Sequence, residues 1–391
     1  MVSKRSMFII LFSMFIWLSL YPYIIWSFKT SILALFFISS TLFSTLYFMN
    51  KKIGVNRILF VFILTILSFV YNIVDINLVG TLTATIVIAI IMLSSTTDIL
   101  KIFNLFKILF AISLIPGIFI LTLHILGFNI HIFEMGTMPP LNPLKLEGMY
   151  KPYLVIFPGS IESAYMLENT IFRLQAMYDE PGLLGTIAAL ILLTEKVNLQ
   201  KKTNIIIFIG GLMSLSLAFY LLITFFYLFY IKKYFKIIML LILSIGIIYM
   251  VLPNRIQNEI KIRTIDRLSL KDDGTIKGYN RDAKNSNNYE HWKESNVFHF
   301  LFGINANADG SSSWKNILIY HGYIGFILLI TIYFLIFQLW AYKLNYDTLI
   351  FIFLFFLSFL QRPNIISPVY ILIFSYAMIV LSRNNKIMEI K

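Results

Sequence analysis

Long uninterrupted apolar runs constrain this chain more than any other feature of its sequence. Many of these runs approach the ~20 residues that an α-helix needs to cross the hydrocarbon layer of a bilayer. Hydrophobic residues make up 59% of the chain and charged residues only 13%, whereas an ordinary soluble domain carries about 25% charged residues. The runs do not alternate apolar with polar residues, as the strands of a membrane β-barrel would. The sequence therefore predicts an all-α polytopic integral membrane protein.

The apolar runs predict about twelve transmembrane helices. The predicted spans are 7–27, 31–49, 57–74, 78–95, 108–127, 181–195, 203–215, 217–231, 236–252, 316–338, 348–363 and 366–382. A thin polar break, Ser214-Leu215-Ser216, separates the two spans within 203–231. One long tilted helix is the alternative for that stretch.

Positive charge sets the predicted orientation, because short cytoplasmic loops of membrane proteins are enriched in lysine and arginine. With the N-terminus in the cytoplasm, the short external turns contain only Lys29 and Arg362, and the C-terminus is also cytoplasmic. This asymmetry requires 203–231 to form two helices, which is why we predict two. Topology thus accounts for most of the net charge of +13, and we expect no nucleic-acid partner.

Two long external segments divide the predicted bundle and are where chemistry is expected, because loops of this length are usually functional or disordered. The predicted organisation has five parts: an N-terminal bundle of five helices over 1–127, a first external loop over 128–180, central helices over 181–252, a second external loop over 253–315, and C-terminal helices with a cytoplasmic tail over 316–391.

The first external loop ends in a segment that combines an arginine with paired carboxylates. Arg173 lies seven residues before Glu180, and Asp179 and Glu180 directly precede Pro181. Proline suits the first position of a helix, and carboxylates there complement the helix dipole. Helix capping is therefore the local alternative to a catalytic role for Glu180. For Arg173, the local alternative is an interfacial arginine whose charged end reaches the headgroups.

The second external loop is rich in basic residues, which include Arg255, Arg263, Arg267 and Arg281. The spacing over 255–267 predicts a short amphipathic helix at the membrane surface. Arginine binds phosphate and diphosphate groups in a bidentate manner, so these residues are candidate ligands for such groups. A solvated surface of mixed charge is the alternative.

Several function classes lack their signals in this sequence. There is no GxxxxGK[ST] phosphate loop, which argues against an ATPase. The chain has no cysteine and no HExxH sequence, so no zinc site is indicated. Few ionisable residues lie deep in the predicted spans, which argues against a proton-coupled transporter. We expect neither a metal nor a cofactor.

Residues 173–185 resemble the R…EPG…G segment of the Wzy-type O-antigen and capsular polysaccharide repeat-unit polymerases, a family related to the O-antigen ligases. Residues 214–216 resemble that family's SxSR break, with Leu217 where an arginine is common. Residues 301–305 and 320–325 are similar to the family's glycine-containing approach to a late helix and to the start of that helix.

The resemblance implies a GT-C-like architecture in the bacterial inner membrane, with both long loops in the periplasm. It also implies a glycosyltransferase that moves a growing glycan from undecaprenyl diphosphate onto a second lipid-linked repeat unit. A diphosphate leaving group needs fixed positive charge, and an acceptor hydroxyl needs a general base. The implied partners are the lipid-linked donor and acceptor, membrane lipid, a chain-length regulator and a flippase.

The site residues follow from the resemblance and from these chemical needs. Arg173 is assigned to the donor diphosphate, Glu180 to the base or sugar-orienting carboxylate, and His321 is the second candidate base. The predicted substrate-binding residues are Arg255, Arg263, Arg267, Arg281 and Tyr178.

Two other functions remain as alternatives. An O-antigen ligase would be expected to carry a histidine in its late loop, where this chain has Ser311-Ser312-Ser313. A lipid-linked oligosaccharide flippase or transporter would be expected to have short external loops and a cationic cavity. The serines at 311–313 argue against the ligase, and the two long external loops argue against the flippase, so both features favour the polymerase.

Overall fold

The computed structural model describes residues 3–28, 31–49, 51–71, 78–128, 173–231, 281–304, 314–360 and 366–383, together with residues 250, 257, 261 and 269. Over these residues the chain is helical and contains no strand, which confirms the predicted all-α class. Most of both predicted external loops lies outside the described residues, so the loops and the number of spans stay predictions.

The described helices are numbered here in chain order. They are α1 (Lys4–Leu18), a 3₁₀-helix (Tyr23–Phe28), α2 (Ser31–Phe48), α3 (Val55–Tyr71), α4 (Leu78–Leu93), α5 (Thr96–Ile125), α6 (Pro181–Thr194), α7 (Lys202–Met213), α8 (Leu217–Phe229), α9 (Arg281–Lys293), α10 (Val297–Phe302), α11 (Lys315–Trp340), α12 (Tyr346–Phe359) and α13 (Pro368–Leu381).

The chain divides into two compact units. The first unit contains Met1–Phe110, Thr194–Lys196 and Asp282–Lys391, and the second contains Ala111–Leu193 and Val197–Arg281. Each unit is described by itself below.

Three of the described helices are long and apolar enough to cross a membrane. They are α2, α5 and α11, with 18, 30 and 26 residues. Shorter apolar helices, including α6, α7, α8, α12 and α13, accompany them. This content agrees with the predicted membrane class, whereas the prediction of about twelve complete spans is untested.

Local sequence explains where several helices begin. The N-cap residues Ser3, Asn296 and Asn345 each accept a hydrogen bond from the amide three residues further on, at 2.9 to 3.1 Å. These bonds satisfy amides that have no partner within the helix. Helices α6 and α13 instead begin at Pro181 and Pro368, whose fixed φ and missing N–H suit the first helical position.

Two predicted spans differ from the structure. The prediction of a continuous first span over 7–27 is wrong, because α1 ends at Leu18 and a 3₁₀-helix follows. Pro22 cannot continue the hydrogen-bond ladder, and Tyr21 before it has a φ of +52°. The fifth span was predicted to begin at residue 108, but α5 begins at Thr96. Four buried residues extend its packed face toward the N-terminus: Ile99, Ile102, Phe103 and Phe106.

The break predicted within 203–231 is present, since α7 and α8 are separate helices. Leu215, between them, has a φ of +45°, in the left-handed region that ends a helix. The helices have 12 and 13 residues, or ~18 and ~20 Å of rise. Each is shorter than the ~30 Å hydrocarbon layer, so two separate crossings remain a prediction.

A buried carboxylate joins three helices of the first unit. Asp98, near the start of α5, is fully buried. Its oxygens accept from Arg5 Nε of α1 at 2.7 Å, from Tyr47 Oη of α2 at 3.0 Å, and from Lys51 Nζ at 3.1 Å. Ser95 also donates to this carboxylate, from Oγ at 2.6 Å and from its backbone amide at 3.1 Å. Because a buried charge is costly unless it is paired and hydrogen-bonded, this arrangement fixes the ends of α1, α2 and α5 together.

A second buried ion pair lies at the start of the predicted fifth span. Lys107, which directly precedes the predicted span 108–127, is inside α5 and only 4% exposed. Its Nζ lies 2.7 Å from Glu195 Oε1, and Tyr376 Oη donates to the same oxygen at 3.1 Å. Lys107 precedes the predicted span 108–127 and Glu195 is the last residue of the predicted span 181–195, so this pair does not test the prediction that few ionisable residues lie deep in the spans.

Candidate functional site

Arg173 fastens the break between α7 and α8 in the second unit. Its guanidinium donates from Nε to the carbonyl oxygen of Ser214 at 3.2 Å and from Nη2 to that of Leu215 at 3.1 Å. Carbonyls at a helix end have no partner within the helix, and this fork satisfies two of them. Its positive charge also complements the negative end of the α7 dipole.

The other carbonyls at the end of α7 are satisfied as well. Each carbonyl from residue 211 to residue 215 accepts from a side chain or from a neighbouring amide. The remaining contacts are Ser214 Oγ to Gly211 O at 2.6 Å, Tyr220 Oη to Leu212 O at 2.7 Å, and Leu174 N to Met213 O at 2.9 Å. The irregular backbone of the break is thus held by donors from 173–174 and from α8.

Gly185 of α6 packs directly against this break. A Cβ at Gly185 would overlap Ser216 Cβ and would lie 2.7 Å from Ser214 Oγ and 2.8 Å from Ser216 Oγ. Only glycine allows such a close approach. The segment 173–185 and the break at 214–216, which resemble two separate family motifs, therefore contact each other.

The start of α8 differs from the end of α7 in its hydrogen bonding. Ser216 is the N-cap residue, but its side chain makes no cap hydrogen bond. Its Oγ has no partner among the described residues, although Ser216 is only 1% exposed. A serine at this position usually accepts from a first-turn amide, so the break combines satisfied carbonyls with unsatisfied donors.

The turn that leads to α6 is fixed by a buried tyrosine. Tyr178 is 1% exposed, and its Oη shares a 2.7 Å hydrogen bond with Ser113 Oγ of α5, within the second unit. Ala176, two residues earlier, has a φ of +50°, which an alanine rarely adopts. In this structure Tyr178 supports the turn from inside the protein, and its predicted contact with substrate stays a prediction.

Glu180 lies immediately before the first residue of α6 and is half-buried. Its carbonyl accepts from Leu184 N at 3.3 Å, as expected of the residue that precedes a helix. A carboxylate there is stabilised by the helix dipole. Its position fits both the helix-capping alternative and the catalytic role, and each stays a prediction.

His321 belongs to the first unit and lies beside a backbone crossing. Gly303 and Gly322 have φ of +95° and +62°. A Cβ on Gly303 would overlap the Tyr320 carbonyl, and one on Gly322 would overlap the Leu301 carbonyl. Ile304 N donates to Ile319 O at 2.7 Å across the same crossing. The two segments that resemble the family's late-helix motifs are therefore interlocked.

The crossing carries an aromatic cluster. Trp292 of α9 stacks on Phe300 with ring centroids 5.1 Å apart, and Tyr323 lies 4.9 Å from Phe300. The rings of Tyr289 and Trp292 are 5.4 Å apart. Because α9 and α10 lie within the predicted second loop, that part of 253–315 is folded onto the first turns of α11.

The predicted site residues therefore fall into separate groups. Arg173, Tyr178 and Glu180 lie along one described segment of the second unit, and His321 lies in the first unit. Arg281 is the first residue of α9. Arg255, Arg263 and Arg267 lie outside the described residues.

Two groups of functional interest escaped the sequence analysis. The buried, unsatisfied hydroxyl of Ser216 was not predicted, because such a hydroxyl can be identified only once its neighbours are known. The pair of Lys107 and Glu195 had a weaker signal, since each charge borders a long apolar run. Their position 88 residues apart gave no reason to pair them.

Comparison of the chain with protein-family models, with curated proteins and with solved structures gives no match. The class is therefore defined by the molecule itself. Over the described residues it is an all-helical protein with three helices of membrane-spanning length, and Arg173 holds the break between its helices α7 and α8.

Proposed function

We propose that this protein is a glycosyltransferase that polymerises undecaprenyl-diphosphate-linked repeat units into O-antigen or capsular polysaccharide on the periplasmic face of the bacterial inner membrane. One observation carries the proposal. The segment 173–185 and the break at 214–216 resemble two motifs of the polymerase family, and they contact each other through Arg173 and Gly185. If the two motifs belong to one site, this contact is what the proposal expects.

The chemistry of the proposed reaction suits these residues. The acceptor hydroxyl attacks the anomeric carbon of the donor sugar, and a new glycosidic bond forms as the bond to the diphosphate oxygen breaks. The diphosphate leaves with the electron pair, and Glu180 takes the hydroxyl proton. A fixed guanidinium such as that of Arg173 stabilises the charge that develops on the leaving group.

The described helices offer a suitable setting for a polyprenyl lipid. Exposed apolar side chains occur along α11, including Tyr323, Phe326, Ile327 and Phe334. Apolar side chains on the outside of a membrane helix suit contact with hydrocarbon, including that of a polyprenyl tail.

Deletion of the gene tests the proposal against its alternatives. A strain that lacks a polymerase should display a single repeat unit on its lipid A core, whereas a strain that lacks a ligase or a flippase should display none. Gel electrophoresis of lipopolysaccharide distinguishes these results. A full-length ladder in the deletion strain would contradict all three functions.

A reconstituted assay isolates the reaction. The deletion strain should accumulate the lipid-linked single repeat, which can be extracted and supplied to the purified protein in nanodiscs. Polymer should form without a nucleotide sugar, and the Glu180→Gln variant should make much less. Asp347→Asn, which changes a carboxylate of the first unit that pairs with Lys196, serves as the matched control.

A further inference from the structure

Helix α10 presents an apolar surface on the outside of the protein. Val297 is 75% exposed and Phe298 is 52% exposed, and the rings of Phe298 and Phe302 lie with their centroids 5.0 Å apart. Helix α9, directly before it, has a polar outer surface. Its exposed residues include Asn287, Glu290, His291 and Lys293. The outer surface of the protein therefore changes from polar to apolar between α9 and α10.

Helix α10 lies beside an apolar stripe on α11. Exposed apolar side chains recur at helical spacing along α11, which places them on one face of that helix. This α11 stripe consists of Tyr323, Phe326, Ile327, Ile330 and Phe334. The ring of Tyr323, its first member, lies 4.9 Å from the ring of Phe300 in α10. The stripe therefore begins where α10 packs on α11.

A kink in α11 indicates the depth at which α10 lies. Gly322 has a φ of 62° and a ψ of −168°, so the regular helix runs from Tyr323 to Trp340. That length corresponds to ~27 Å of rise, which is close to the ~30 Å of the hydrocarbon layer. Helix α11 is also one of the three described helices that are long and apolar enough to cross a membrane. A bilayer crossed by this helix therefore has one boundary near Gly322.

Backbone contacts hold α10 at this boundary. Ile304, just after α10, donates from its amide to Ile319 O at 2.7 Å. On the side of the kink away from the α11 stripe, Lys315 and Lys293 lie over the ring of Tyr289, with their Nζ atoms 4.8 and 4.7 Å from its centroid. Basic and aromatic side chains are typical of the headgroup region. The polar side of α10 therefore has the composition expected at a membrane surface.

We propose that α10 lies in the interface between membrane and water, with Val297 and Phe298 inserted among the acyl chains of the bilayer lipid. Interfacial helices bury an apolar face in this way to a depth of ~5–10 Å. Bilayer lipid is favoured over a second protein as the occupant, because the α11 stripe beside α10 suits the same hydrocarbon. The insertion requires only that α11 crosses a membrane, and it does not depend on the polymerase activity.

Spin labelling tests the insertion. The chain has no cysteine, so a nitroxide attached to Val297→Cys is the only label in the full chain in phospholipid nanodiscs. Its collision rates are measured with oxygen, which dissolves in hydrocarbon, and with a water-soluble nickel chelate. Ile327→Cys, in the α11 stripe, is the control for lipid, and His291→Cys, on α9, is the control for water. All three side chains are exposed, so the substitutions should not prevent folding.

We expect the ratio of oxygen to nickel collisions at position 297 to match that at position 327. It should exceed the ratio at position 291 roughly tenfold or more, because hydrocarbon excludes a polar solute. A ratio at position 297 as low as that at position 291 would place α10 in water and overturn the insertion. Low collision rates with both reagents would show that protein covers α10, and would overturn it as well. A low ratio at position 327 would remove α11 from lipid, and the insertion with it.

Discussion

The side chain of Arg173 is hydrogen-bonded to the main chain of Ser214, 41 residues further along the sequence, at 3.2 Å. This contact changes the interpretation of Arg173. The resemblance assigns the residue directly to a diphosphate, whereas two of its N–H groups are committed to carbonyls of the break. Arg173 therefore shapes the candidate site by holding the break, whether or not it also contacts substrate.

Arg173→Ala should abolish the polysaccharide ladder and also lower stability, because it leaves the Ser214 and Leu215 carbonyls without their donors. Loss of two hydrogen bonds to a charged group should cost roughly 2 kcal/mol or more at this half-buried position. Arg173→Lys should lose the fork while keeping the charge. The checks are the ladder, the amount of inserted protein, and Tm in nanodiscs.

Lys202 is exposed at the start of α7. The Lys202→Ala variant is therefore the control for Arg173→Ala and Arg173→Lys, and it should behave as the wild type. If Arg173→Lys kept both full stability and the full ladder, the bidentate contact would have no importance. An intact ladder in Arg173→Ala would remove Arg173 from the site altogether.

Gly185→Ala should destabilise the second unit, because the added methyl would overlap Ser216 Cβ. Such overpacking typically costs about 1–3 kcal/mol. The matched control is Gly54→Ala, since nothing lies within 4 Å of a Cβ at Gly54. Thermal unfolding of both variants measures the difference, and a Gly185→Ala variant as stable as Gly54→Ala would contradict the close approach.

Only those features of the candidate site that depend on neighbouring residues in the sequence could be predicted from it. The polar break at 214–216 and the start of α6 at Pro181 followed from composition, charge and proline chemistry. The pairing of Arg173 with Ser214 did not, because a contact across 41 residues depends on how the helices pack. The early start of α5 was not predicted for a related reason. Lys101 and Lys107 interrupt the apolar run before residue 108, and the pairing of Lys107 with Glu195 depends on how the chain packs.

Gly303→Ala should be more damaging than Gly127→Ala, although both glycines have positive φ. A left-handed conformation alone costs an alanine about 1–2 kcal/mol, and nothing lies within 4 Å of a Cβ at Gly127. At Gly303, a Cβ would also lie 2.6 Å from His321 N. That atom belongs to the backbone, which cannot easily move away. Comparison of the two Tm values separates strain from close contact, and equal losses would argue against the interlocked crossing.

Glu195→Gln should destabilise the first unit by about 3–5 kcal/mol, because it leaves the buried Lys107 ammonium without its partner. The double variant Lys107→Met with Glu195→Gln should recover much of that loss, since no uncompensated charge remains. Glu290→Gln breaks the exposed pair with Lys293 and should have no measurable effect. Thermal unfolding of the three variants is the measurement. If Glu195→Gln were as stable as the double variant, the pair of Lys107 and Glu195 would not contribute to stability.

Cysteine labelling can decide whether 203–231 crosses the membrane twice. The chain has no cysteine, so each introduced cysteine is the sole target of a membrane-impermeant maleimide. Two crossings leave Lys202→Cys and Ile231→Cys on the same side as Lys4→Cys, and all three should be labelled only after the cells are opened. Labelling of Ile231→Cys alone in intact cells would mean that α7 and α8 form one broken crossing. That result would turn the segment 253–315 to the cytoplasm and would remove Arg255, Arg263 and Arg267 from the periplasmic site.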